Sequence, residues 1–153
     1  MTTETINRTP VNRTGWPPGP WDGEPDRVEW KHEESGLHCL AKRHPWLGHW
    51  CGYVAVPPGH PWHGRAYGDD PVDVDVHGGL TYASECSDGI CHVPPPGEPA
   101  NVWWFGFDCA HCDDISPGSY KYGAHSFVGN TYRDLEFVQR QCGSLAEQLQ
   151  GVK

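Results

Sequence analysis

The stretch NTYRDLEFVQRQCGSLAEQLQG, residues 130–151, carries the helical pattern of this chain. Leu135, Val138, Cys142, Leu145 and Leu149 recur three and four residues apart, which puts them on one face of a helix. Thr131 with Asp134 resembles a capping pair, and Gly151 suits the stop. Gly143 inside the helix costs about 1 kcal/mol relative to Ala, so a close contact is expected there.

Upstream the apolar period changes from helical to two. RVEWKH (27–32) places Val28 and Trp30 on one face of a strand, and GLHCLAKRH (36–44) does the same for Leu37, Cys39 and Ala41. The EESG between them reads as a hairpin turn. In HWCGYVAV (49–56), Trp50, Val54 and Val56 are in phase. A fourth strand is expected over Val72–His77 and a fifth in NVWWFGFDCAH (101–111). The fold class that follows is α+β: a mostly antiparallel sheet of about five strands with a C-terminal helix packed across it. Residues 1–25, with WPPGPWDGEP at their end, read as an extended or mobile arm that Trp16 and Trp21 can pin. Residues 26–153 read as a single domain.

The totals narrow the function. The chain has 153 residues, and a net charge of −9 disfavours duplex nucleic acid as a partner. No apolar run approaches a membrane span, and the N-terminus lacks the apolar core of a signal peptide. The sequence therefore reads as cytoplasmic, its seven cysteines mostly thiols or metal ligands rather than disulfides.

Four groups of residues can carry chemistry. In VDVDVHGGLTY (72–82), Val72, Val74 and Val76 share one face, and Asp73, Asp75 and His77 the other. A solvated face gives the same alternation, but His77 stands at the strand end before Gly78-Gly79, where glycine allows close approach. In WWFGFDCAHCDD (103–114), Trp104, Gly106 and Asp108 share a face that can stack a planar group; the alternative is that Trp104 covers the sheet and Gly106 accommodates the helix. Cys86, Cys91, Cys109 and Cys112, with His92 and His111 as alternates, have the look of a structural zinc site, against a set of reduced thiols. His60 and His63 on the stiff PPGHPWHG loop can bind an anion or move a proton.

The stretches CGYVAVPPGHPWHG, VDVHGGLTY and VWWFGFDCAH, with the ending YRDLEFVQRQC, resemble a family of uncharacterised small phage and prophage proteins across roughly residues 30–149. That resemblance implies context alone: an accessory gene expressed by a virus inside a bacterium, of the kind that counters host defence.

Three functions are then open. The first is capture of a small polar, nucleotide-like ligand by His60, His63, His77, Trp104 and Asp108. The second is phosphoester hydrolysis by a metal or acid–base centre of Asp75, His77, Asp108 and His111. The third is a protein-interaction module. A homodimer is expected, because one helix covers one sheet face and leaves Trp104 and Tyr53 on the other.

Overall fold

The computed structural model describes residues 4–6, 10–87, 89–122 and 131–153. The part of the tyrosine-rich loop from residue 123 lies outside these. Six strands form one sheet: β1 (Thr5–Ile6), β2 (Arg27–Lys31), β3 (His38–Arg43), β4 (Trp50–Val56), β5 (Tyr82–Glu85) and β6 (Trp103–Asp108), with every ladder antiparallel. Their order is β1-β2-β3-β4-β6-β5. The helix α1 (Leu135–Gln150) lies across one face, which makes the fold α+β.

The helix buries Val138, Cys142, Leu145, Ala146 and Leu149 against Cys39, Ala41, Trp50, Val54, Phe105 and Phe107. Gly52 makes this approach possible, because a Cβ there would overlap the Phe107 ring and the Cys142 sulfur. Gly106 does not serve the helix; its missing Cβ leaves room for Tyr53 on the opposite face. The cap is Asp134, whose carboxylate accepts from Phe137 N at 2.8 Å, while Thr131 instead bridges to Asp114. Gly143 is not tightly packed: a Cβ there would lie 3.7 Å from the His32 ring, an ordinary contact.

The opposite face is covered from within the chain. Ile90 and Val102 bury Leu40, Tyr53, Ala55 and Trp104, and Trp104 is 0% exposed. The apolar patch that suggested a dimer is thus closed by the 86–102 segment. Arg27 fastens that segment by donating to Gly89 O (2.6 Å) and Cys91 O (3.0 Å).

Two expectations are corrected by backbone geometry. Residues 72–76 keep the expected alternation, with Val72 and Val76 buried, but they join no ladder. They run along α1 instead: Asp75 N donates to Gln148 Oε1 and Gln148 Nε2 to Asp75 O, both at 2.8 Å. The strand beside β6 is β5, ten residues later than expected at its start. The second correction concerns sulfur. Ser87 and Ile90 exchange two backbone hydrogen bonds, which sets the flanking Cys86 and Cys91 opposite each other, and they form a disulfide. Cys109 is buried and Cys112 exposed, and both are free. The four proposed zinc cysteines therefore do not form a site.

Trp16 and Trp21 do hold the later part of the arm. Trp21 is buried, and Trp16 lies against Gly48. Below them the guanidinium of Arg43 meets Asp26, Glu24, Gly48 O and the Tyr132 hydroxyl, and Glu24 also accepts from Leu135 N at 2.7 Å. One buried charge network thus joins the arm, β3 and the helix start. Among the described residues, no helix is long and apolar enough to cross a membrane.

Candidate functional site

The His-Gly-Gly turn explains why the chain stops its alternation after His77. Gly78 (φ 70°) and Gly79 (φ 79°) both occupy the left-handed region, which side chains disfavour. The space a Cβ on Gly78 would fill is taken by the imidazole of His111. The turn then delivers Thr81, whose backbone N joins Gly106 O at 2.9 Å and whose hydroxyl donates to Asp108 Oδ2 at 3.0 Å. Two segments about 30 positions apart are thereby interlocked, the turn on one side and the end of β6 on the other.

The centre of this junction is Asp114. Its side chain is 1% exposed and bears three hydrogen bonds. Oδ2 accepts from His77 Nε2 at 2.8 Å and from His111 N at 3.0 Å, and Oδ1 accepts from Arg133 Nε at 2.9 Å. Burial alone raises a carboxyl pKa, but the bonds from His77, Arg133 and His111 N outweigh it and hold Asp114 below the usual range. It is a buried carboxylate at neutral pH. Because it accepts only, His77 carries its proton on Nε2. Arg133 reaches Asp114 because Thr131 pairs with the 113–115 backbone two residues before it. Its guanidinium lies over the Phe137 ring at 5.0 Å, and its Nη atoms have no hydrogen-bond partner among the described residues.

His111 completes the group. Its ring meets that of His77 edge-on at 5.2 Å, and its Nε2 lies 3.4 Å from Asp108 Oδ1, close enough to attract without a well-aligned hydrogen bond. His77, His111 and Asp114 each offer one donor atom within 4.8 Å of the others, and no other three His, Cys, Asp or Glu among the described residues converge in this way. Two nitrogens and one buried carboxylate suit zinc or another divalent transition metal and leave coordination positions open. A metal taken between His77 Nε2 and Asp114 would displace the proton that their 2.8 Å hydrogen bond holds.

Two recesses flank this centre. One, of about 340 Å³, is lined by His77, Arg133, Phe137, Gln141, Ser144 and Asp75. The other, of about 380 Å³, is lined by His44, His49, Cys51, Tyr53, Tyr82, Thr81 and Asp108 among others. Burial, with His44 beside it, pushes His49 down to about 4, so it is neutral at pH 7. Burial pushes the Cys51 thiol up to about 12, which leaves it unreactive as a nucleophile at neutral pH. A further recess, about 520 Å³ around Trp30, His38 and His92, involves none of these residues. Two of its lining residues, His38 and Lys31, are engaged by Glu98 at 2.7 and 2.9 Å.

Of the residues singled out from sequence, His77, His111 and Asp108 come together. Asp75 lines the edge of the smaller recess but is exposed, and it stands outside the converging group. Trp104 cannot stack a ligand because it is sealed in the second core. His60 and His63 are occupied elsewhere, on Leu149 O (2.7 Å) and Asn101 O (2.8 Å). His92 packs edge-on against Trp104 at 5.5 Å, far from a metal role with the paired cysteines. Asp114 and Arg133 were missed. The spacing His111-x-x-Asp114 was in view, but nothing separated Asp114 from Asp113, and Arg133 looked like a helix-start residue. No protein-family model matches this chain, and no curated protein or solved structure matches it either.

Proposed function

We propose that the protein is a metal-dependent hydrolase of a small phosphoester, with His77, His111 and Asp114 as the metal ligands. The observation that carries this reading is the convergence of those three donors, one of them a buried carboxylate, between two open recesses. A divalent metal there would lower the pKa of a bound water enough to attack at neutral pH. Asp114 is held ionised, against its burial, by the hydrogen bonds from His77, Arg133 and His111 N. Asp108 stands at His111 Nε2, and would hold that ring so that its other nitrogen faces the metal. Arg133 lies beside His77, and its Nη atoms, without a hydrogen-bond partner among the described residues, can receive phosphate oxygens.

Capture without cleavage loses support, since its stacking residue Trp104 is sealed in the core and His60 and His63 are engaged with backbone. The resemblance to phage accessory proteins suggests a small phosphorylated host molecule as the substrate.

The test is metal analysis of the purified protein combined with turnover of p-nitrophenyl phosphate and bis(p-nitrophenyl) phosphate. The expected result is near one metal per chain and turnover that a chelator removes and added zinc or manganese restores. Metal bound with every phosphoester retained intact would return the protein to the binding reading. A protein that takes up no metal would overturn the metal centre itself.

A further inference from the structure

The recess on the Asp108 side differs in chemistry from the one beside Arg133. The rings of His44 and His49 stack on each other at 5.0 Å with 24° between planes, and Tyr53 and Tyr82 meet edge-on at 5.3 Å. All four line the recess, so its walls are largely aromatic. No Lys or Arg lines it; Lys42 acts on His44 and Cys51 from outside its walls, and the Asp108 carboxylate within them repels anions.

The hydrogen-bonding capacity of these walls is fixed by the backbone. His44 Nδ1 accepts from Trp46 N (3.3 Å) and Leu47 N (3.1 Å), which leaves its proton on Nε2 as a donor. His49 Nδ1 is joined to the Ser116 hydroxyl at 3.1 Å. Asp108 receives Thr81 on Oδ2 and Ala110 N (3.1 Å) on Oδ1; Oδ1 also faces His111 Nε2 at 3.4 Å, and Oδ2 keeps a second lone pair. A group held between them must offer a donor to Asp108 and an acceptor to His44, and must be flat and uncharged.

We infer that this cleft is a specificity subsite for an uncharged nitrogen heterocycle of the nucleobase type, joined to the phosphoester that the metal centre cleaves. The inference rests on the hydrolase reading for that phosphoester, but the heterocycle is held by His44, Tyr82 and Asp108 without metal. Asp108, which lines the recess, stands 3.4 Å from His111, and a molecule of nucleotide type with its base in the recess and its phosphate at the metal centre would span that contact. The volume of about 380 Å³ accommodates a base with its sugar.

The experiment is calorimetric titration of chelator-treated, full-length protein with the four common ribonucleosides and with ribose 5-phosphate. At least one nucleoside should bind with a dissociation constant below about 1 mM, and ribose 5-phosphate should bind at least ten-fold more weakly. His44→Asn keeps an oxygen to accept from Trp46 N and Leu47 N but removes the Nε2 donor. It should weaken the nucleoside at least ten-fold, as should Tyr82→Ala, which removes part of the wall together with its edge-on contact to Tyr53. Absence of nucleoside binding, equal binding of ribose 5-phosphate, or binding unchanged in both variants would overturn the inference. Because no metal is present in this titration, these outcomes are separate from the fate of the hydrolase reading, which the metal and turnover assays decide.

Discussion

His60 and His63 lie on a proline-stiffened loop after β4; His77 and His111 lie on turns before β5 and after β6. All four sit near glycine, proline or the end of an apolar run, and nothing in the sequence separates them. Their partners do. His60 accepts Trp62 N on Nδ1 (3.0 Å) and donates Nε2–H to Leu149 O, and His63 reaches Asn101 O. A neutral carbonyl fixes the tautomer and uses up the ring. His77 and His111 face carboxylates, Asp114 at 2.8 Å and Asp108 at 3.4 Å. A carboxylate stabilises positive charge beside the ring, and so favours a metal there. The first pair holds the loop to the helix end and to residue 101, and the second pair is chemically available.

The largest effect expected from this contrast is on metal binding. His77→Ala and Asp114→Asn should each weaken zinc affinity by about 100-fold or more and remove turnover, following ligand loss. His77→Ala should cost only about 1 kcal/mol of stability, since Asp114 keeps Arg133 and His111 N. Gly78→Ala, which alters no ligand, should produce a comparable loss, because its Cβ displaces the His111 ring and its φ is left-handed. A dye-competition measurement of zinc affinity checks all three. Wild-type affinity in Gly78→Ala would show that the turn does not position His111.

The next effect is on stability against pH, and it separates the available histidines from a third kind. His49 is buried and held near 4, against an ordinary value of 6.5. Between those values the unfolded chain binds a proton that the folded chain does not, so stability falls as pH drops from about 6.5 to 4. The full span corresponds to roughly 3 kcal/mol. Asp114 acts lower: its depressed pKa gives stability that is present above its ordinary value of 3.8 and lost as pH falls through the folded value. Urea denaturation at pH 7, 5.5, 4 and 2.5 should show the first loss before the second. A flat profile from 6.5 to 4 would mean that His49 is not shielded from protons.

The fold was legible where one periodicity dominated. The alternation in 27–56 and 103–108 and the helical spacing from Leu135 to Leu149 reflect burial of one continuous face, and the strands and helix formed there. The stretch 72–77 misled because alternating burial does not reveal which groups satisfy the backbone; here two glutamines of α1 do so in place of a strand. Trp104 and Tyr53 were expected to be exposed for a related reason, as a segment rich in proline and cysteine carries Ile90 and Val102 onto the second sheet face. Half of the site was visible through His77, Asp108 and His111. Asp114 and Arg133 were not, because their value depends on burial and on a bridge between residues 114 and 131 that leaves no local pattern.

Replacement of His60 should have a smaller and purely structural effect. His60→Ala removes a bond to a carbonyl in the last turn of α1 and an acceptor for Trp62 N, which together contribute about 1–2 kcal/mol. The melting temperature should fall by roughly 2–6 °C at this chain length, with zinc affinity unchanged. A loss of zinc affinity in His60→Ala would place this loop in the site and erase the distinction between the two pairs.

The smallest effect is expected at His63, and it tests whether a carbonyl partner is sufficient to make a histidine structural. The bond to Asn101 O lies at the surface, so water can replace the imidazole when it is removed. Its ring lies 5.9 Å from Trp103, tilted by 51°, and adds a weak contact. Trp103 is independently anchored by its own Nε1–H, which donates to Arg65 O at 2.9 Å. His63→Ala should therefore cost only about 0.5 kcal/mol, near the lower limit for a hydrogen bond, and leave zinc binding and nucleoside binding as they were. Matched urea titrations of His63→Ala and His60→Ala measure the difference directly. If His63→Ala proved the more damaging of the two, burial would not be what ranks these contacts, and the loop would be held chiefly at residue 101 rather than at the helix end.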